Sequence, residues 1–295
     1  MECINKFIFL LGTKREHLYR GTTLSYNWRF GKVSYTKKGT GSPILLLHDL
    51  SNIASSYEFK ELEKKLSDTN TVYTIDLIGC GLSDKPKITY TNFLYVQLIS
   101  DFIKNIIGSK TTVLTSNRSS SIGIMTCYID PEQIEQLILV NPTDLNELAK
   151  YPKKKHKLLQ WLFNLPIIGT FIYNVRNTHC VINTQFRNHF LSKDRPVHRY
   201  KEACFTSAHT DGSASRYIYT SIKCHYTNTT IIHALQNIDK PILILAGSEV
   251  SNIQATVADY MYYNPDISVS YISDTKEMLH IEDPAECAKQ LLTFL

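Results

Sequence analysis

Four serines crowd one short stretch of this chain, Ser116, Ser119, Ser120 and Ser121, with Asn117 and Arg118 between the first two. A serine becomes a nucleophile when a histidine takes its proton and an acid orients that histidine. His280 and the acids Glu249 and Asp144 lie far off in sequence, so a triad of Ser119, His280 and either acid exists only if the fold gathers them. The plainer role of such serines is to cap the start of a helix, with His280 packing inside its own loop. Arg118 beside Asn117 supports a second chemistry, because an arginine near a helix N-terminus can bind a carboxylate or phosphate. A third is proton abstraction by Glu277, which requires a carboxyl pKa raised considerably. The ten histidines show no H-x-x-x-H or matching carboxylate spacing, so no metal is expected.

Positioning these residues is the task of a chain of 295 residues, 43% hydrophobic and 20% charged, with a mean hydropathy of −0.17. That composition describes a globular protein and excludes collagen, low-complexity disorder and a bundle of membrane helices. Its length buries a core without metal or disulfide staples, and no cofactor is implied. The net charge is +5, with basic residues gathered at Lys153, Lys154, Lys155, His156 and Lys157 and more thinly at Lys6, Lys14, Arg15 and Arg20. No longer basic stripe with interleaved aromatics accompanies them, so nucleic acid is not an expected partner. Seven scattered cysteines without a C-x-x-C pair read as reduced thiols.

Residues 26–35 alternate as a strand or hairpin, and 37–42 form a turn. Continuous apolar runs at 43–48, 72–77, 111–115, 134–140, 241–246 and 267–272 read as strands buried on both faces. Helical periods fall at 55–66, 91–107, 119–129, 254–263 and 285–295. This alternation predicts an α/β fold with a mostly parallel sheet flanked by helices. It stops between Asp144 and about Ala234, where only helical periods remain.

The order of elements and four local motifs resemble the α/β-hydrolase superfamily with an inserted helical cap. Residues 44–50 (ILLLHDL) resemble the strand ending in His-Gly that supplies an oxyanion amide, and 73–86 (YTIDLIGCGLSDKP) the Asp-x-x-Gly-x-Gly-x-Ser loop. Residues 130–142 (DPEQIEQLILVNP) resemble the strand after the nucleophile helix, and 241–248 (PILILAGS) with 280–284 (HIEDP) the acid strand and histidine-loop tail. The resemblance covers 26–295 and implies a core of 26–142 plus 237–295, a cap of 143–236 and an N-terminal apolar and basic segment of 1–25. Residues 48–59 and 165–174 further resemble a divergent bacterial, Firmicutes-like subgroup whose members carry an N-terminal membrane anchor. Residues 4–11 would be the remnant or end of such an anchor.

Within that resemblance the catalytic positions are altered. The elbow, Gly-x-Ser-x-Gly in the family, reads Thr115-Ser116-Asn117-Arg118-Ser119, with Asn117 at the nucleophile. Asn tolerates positive φ, but Thr115 and Ser119 in place of glycines crowd the turn and put its geometry in question. Glu277 stands at the histidine and Val250 at the acid, with Glu249 one residue early. Asp49 replaces the oxyanion-strand glycine, where a carboxylate opposes developing negative charge. The expectation is a catalytically degenerate hydrolase fold that binds a small acyl or anionic ligand, or a partner, through His48, Asp49, Leu50, Asn117, Arg118 and His209. In it Arg118 either faces solvent or pairs with Asp49 or Glu277. The alternative is an active esterase-like or lipase-like serine hydrolase with the relocated triad.

In the insertion, the basic run leads into Leu158, Leu159, Trp161, Leu162, Phe163, Leu165, Ile167 and Ile168, a pattern that suits core packing, a lid over a lipophilic pocket or peripheral contact with a membrane surface. The expected location is the cytoplasm, or the membrane through the N-terminal segment.

Overall fold

A computed structural model describes residues 23–186, 189–191 and 195–295. Most of the N-terminal segment, including 4–11, therefore lies outside the described residues. Eight strands form one sheet in the order β1-β2-β4-β3-β5-β6-β7-β8. β1 (Leu24–Trp28) and β2 (Gly31–Lys38) make an antiparallel hairpin, two residues wider at its start and three at its end than the alternating stretch suggests. β2 pairs antiparallel with β4 (Thr71–Ile75), and from there the sheet is parallel through β3 (Pro43–Leu47), β5 (Thr111–Ser116), β6 (Ile134–Val140), β7 (Ile242–Gly247) and β8 (Ser268–Ile272).

The apolar runs are continuous because both sheet faces are covered. In β3, Leu45 and Leu47 join one core cluster while Ile44 and Leu46 join another, as the period of two requires. α1 (Lys60–Leu66) and α12 (Pro284–Phe294) cover the second cluster. The first is covered by α2 (Asn92–Phe102), α3 (Ser120–Ile129) and α11 (Ile253–Tyr263). Residues 103–107, expected to continue α2, wind as a π-helical turn that ends on Gly108 in the left-handed conformation.

The loop after β4 explains its own motif. The Asp76 carboxylate accepts Ser56 N–H at 2.7 Å and Leu82 N–H at 2.8 Å, and a Cβ on Gly81 would lie 2.3 Å from that carboxylate. Between β6 and β7 the regular elements among the described residues are all helices: α4 (Leu145–Leu148), α5 (Lys154–Asn164), α6 (Ile168–Arg176), α7 (His179–Gln185), α8 (Arg195–His209), α9 (Arg216–Lys223) and α10 (Ile232–Asn237). Buried polar bonds tie this insertion to the core loops. Asn52 donates to Asn177 at 2.8 Å, and Ser207 donates to Ala54 O at 2.9 Å while accepting Gly81 N–H at 3.1 Å.

The crowding expected from Thr115 is absorbed by Gly123 on α3, where an added Cβ would stand 2.6 Å from the Thr115 methyl. Gly123→Ala should therefore destabilise the chain, against the usual helix preference for alanine, with overpacking of about 1–3 kcal/mol. In a Thr115→Ser background, which removes the methyl and keeps the hydroxyl, most of that penalty should vanish. Urea denaturation of the four-member cycle measures it, and simple additivity would show that the contact is not the cause.

Candidate functional site

The elbow forms despite its altered flanks. β5 ends at Ser116, Asn117 takes a φ of 47°, and a short 3-10 turn leads into α3. Asparagine is among the few non-glycine residues that adopt this conformation readily. Ser119 does not crowd the turn but closes it. Its buried hydroxyl accepts Ser116 N–H at 3.0 Å and faces Ser116 O at 2.8 Å and Leu47 O at 3.1 Å.

This bonding occupies the Ser119 hydroxyl, and the other members of the expected relocated triad have contacts of their own. His280 is buried with its ring 5.0 Å from that of Phe59, and its Nε2 lies 3.6 Å from Glu58 Oε1. Glu249 is exposed in the loop after β7, with its N–H on Thr275 O. Asp144 caps α4, accepting Asn146 N–H at 2.8 Å and Glu147 N–H at 3.1 Å. Val250, at the expected acid position, packs partly buried against the core.

Asp49, Asn117, Arg118 and Glu277 do meet, around a cavity of about 300 Å³ whose apolar wall includes Ile53, Ala54, Phe186 and Met278. Asp49 Oδ1 accepts the backbone N–H of Arg118 at 3.1 Å, the amide that follows the elbow residue. Asp49 N–H in turn donates to Glu58 Oε1 at 3.1 Å, and Tyr200 on α8 donates to Glu58 Oε2 at 3.4 Å. Burial, reinforced by the charge of Glu58, pushes the Asp49 carboxyl up to about 6, against the opposing pull of Arg118 and His48. The Arg118 guanidinium turns instead toward Glu147, 4.0 Å away, so it pairs with neither Asp49 nor Glu277.

Glu277 is engaged from the insertion. His189 Nδ1 bonds its carboxylate, and that bond holds the imidazole above its usual range despite partial burial. The carboxylate is therefore bonded to a histidine of the insertion rather than open to the cavity alone. Its loop is fixed by Asn141, whose side-chain amide donates to Lys276 O at 3.0 Å and Glu277 O at 2.9 Å while accepting Gly247 N–H at 2.9 Å.

Three expected ligand contacts fall elsewhere. His48 accepts Leu77 N–H on Nε2 at 3.0 Å, which leaves Nδ1 to donate to Asp49 O at 2.7 Å, so it braces the loop behind the cavity. Leu50 is core. His209 is buried at the end of α8, with Nδ1 on Phe205 O at 2.9 Å, and burial lowers its pKa. Glu58, His189 and Tyr200 are the contributors that sequence reading missed. Only Glu277, a carboxylate calling for a cationic partner, signalled any of them.

No known family profile matches the sequence. A stretch of 145 residues is 28% identical to a cis-3-alkyl-4-alkyloxetan-2-one decarboxylase of Shewanella oneidensis, covering 48% of this chain and 44% of that protein. Another of 114 residues is 25% identical to a haloalkane dehalogenase of Agrobacterium fabrum, covering 38% and 37%. The chain thus matches less than half the length of these curated relatives. Among solved structures, a serine hydrolase involved in carbazole degradation superposes with a TM-score of 0.76 at 17% identity, covering 92% of this chain and 98% of that one. A membrane phospholipase A gives 0.73 at 17% identity, covering 98% and 90%.

Asp49 offers a test of the site's electrostatics. Its folded pKa of about 6 stands above the ordinary 3.8, so between these values the native state keeps a proton that the unfolded chain has lost, and stability falls as pH rises through the window. Asp49→Asn keeps an acceptor for Arg118 N–H and removes the buried charge. The variant should be more stable than wild type at pH 8, on the order of 1–2 kcal/mol, with the difference closing at acid pH below the ordinary carboxylate value. Denaturant melts at both pH values check it, and a gap independent of pH would exclude the linkage.

Proposed function

We propose that this chain, an α/β-hydrolase fold with its elbow kept and its triad altered, binds a small ligand in the Asn117 cavity rather than hydrolysing an ester. The observation that carries this reading is the Asp49 carboxylate on Arg118 N–H, at 3.1 Å. In acyl transfer that amide must stabilise negative charge growing on a substrate oxygen, and a carboxylate already bonded to it opposes the reaction. Asn117 carries a carboxamide where a nucleophile is needed, and Glu277 is held by His189 where a histidine would accept the proton.

The cavity also narrows the ligand. Ile53, Ala54, Phe186 and Met278 suit a small acyl group, and Asn117 and Thr143 supply polar contacts. An anionic head must compete with Asp49 for Arg118 N–H, so anion binding is favoured below about pH 6, where Asp49 is protonated. A protein partner reaching the same mouth is the other form of this reading. The rival, an active hydrolase with a relocated serine, needs Ser119 or a neighbour to leave its cap.

Fluorophosphonate labelling of the folded protein, read by intact mass and peptide mapping beside a panel of short and long acyl esters, separates the two. The expected result is no adduct and no turnover. Ser119→Ala should change neither, yet should lower stability by about 1–2 kcal/mol by leaving Ser116 N–H unpaired. A stoichiometric adduct on Ser119 or an adjacent serine, with turnover lost in its alanine variant, would overturn the binding role.

A further inference from the structure

α5 and α6 meet at a bend of 98°, and their outer side is apolar where a soluble helix is normally polar. Leu158 is 67% exposed, Trp161 60%, Ile167 56% and Ile168 44%, while His156 and Phe163 face inward. The corner is tight: Gly169 has no Cβ, and one built there would lie 2.0 Å from Phe163 O, so only glycine lets α6 start so close to α5. That close approach puts Ile167 and Ile168 at the corner between the two helices. α5 spans 11 residues, about 16 Å by the helical rise, which suits lying on a bilayer and not crossing one.

Charge flanks this patch on one side. Lys153, Lys154, Lys155 and Lys157 are exposed and form no ion pair among the described residues. Next to them is a cavity of about 300 Å³, lined by Lys150, Lys153, Lys155, His156 and His225. Lys150 is paired with Glu147, and His156 Nδ1 accepts Lys153 N–H at 3.0 Å, which leaves its Nε2 to carry a proton. Donors and positive charge around a pocket of that size suit a phosphate, and the apolar corner beside it suits acyl chains.

We propose that the outer face of α5 and α6 docks on an anionic phospholipid bilayer, with a headgroup phosphate among Lys150, Lys153 and Lys155 and with Leu158, Trp161, Ile167 and Ile168 entering the interface. The basic run and the exposed apolar side chains are two independent features on one surface, and an anionic membrane satisfies both. A neutral protein groove satisfies only the second.

The chain carries two tryptophans, and Trp28 is buried and bonded to Asp101, so Trp161 reports on this face. Full-length protein is sedimented with vesicles of phosphatidylcholine alone or mixed with phosphatidylglycerol, and its emission and acrylamide quenching are followed. Partition should rise at least about tenfold on the mixed vesicles, with a blue shift and protection of Trp161. Lys153→Gln with Lys155→Gln should lower that partition about tenfold or more. Leu158→Gln with Ile167→Gln should lower it comparably while leaving the thermal melt unchanged. No preference for anionic vesicles, sedimentation without a Trp161 change, or indifference to both double variants would each overturn the proposal. So would saturation of the site by inorganic phosphate without vesicle binding, or self-association by light scattering as the sole event.

Discussion

Between β5 and α3 the chain passes from strand to helix around one residue, and Asn117 makes that passage at a φ of 47°. Much of the site follows from this constraint. The turn directs Arg118 N–H toward the cavity, where Asp49 accepts it, and it sets Ser119 back against Ser116 N–H and Leu47 O. It also presses Thr115 against α3, which is accommodated because position 123 lacks a side chain. A strained turn of this kind persists only when its surroundings over-determine it. Here the surroundings are a hydroxyl cap, a glycine and a carboxylate.

From Asp49 the polar contacts run inward rather than toward solvent. Glu58 accepts Asp49 N–H and Tyr200 OH, and His280 lies beside it with both ring nitrogens lacking a hydrogen bond. Burial, with the charge of Glu58 added to it, is why Asp49 titrates above its ordinary range. Tyr200 and His189 both come from the insertion and both bond acids of the core. These bonds join the insertion to the core at the cavity, beside the apolar packing of Phe186, Tyr200 and Phe205 with Met278 and Ile281, so a ligand entering there meets residues of both.

The fold was legible because burial on both sheet faces leaves uninterrupted apolar runs, and the Asp76 loop because its glycines and carboxylate form one hydrogen-bonded unit. Asn117 at the elbow was legible for the same local reason: few residues tolerate its φ. The occupants of the cavity were not. His189 and Glu277 are 88 residues apart, and Tyr200 and Glu58 are 142 apart, with no periodicity linking them. His48 and His209 misled for the complementary reason. A histidine's type suggests chemistry, whereas these two spend ring nitrogens on a backbone amide or carbonyl of their own surroundings. Arg118 shows the same division within one residue, since its backbone N–H serves the site and its guanidinium leaves it for Glu147.

The charge of the chain is also partitioned by the fold. Asp49, Glu58 and Glu277 gather where the insertion meets the strand ends, and Lys153, Lys154, Lys155 and Lys157 gather on its outer side around α5. A net charge of +5 conceals that separation. Arg118 and Glu147 stand between the two regions, with Glu147 pairing with Lys150 on the basic side and facing Arg118 on the acidic one. Arg118 therefore meets Asp49 through its backbone amide and Glu147 through its guanidinium.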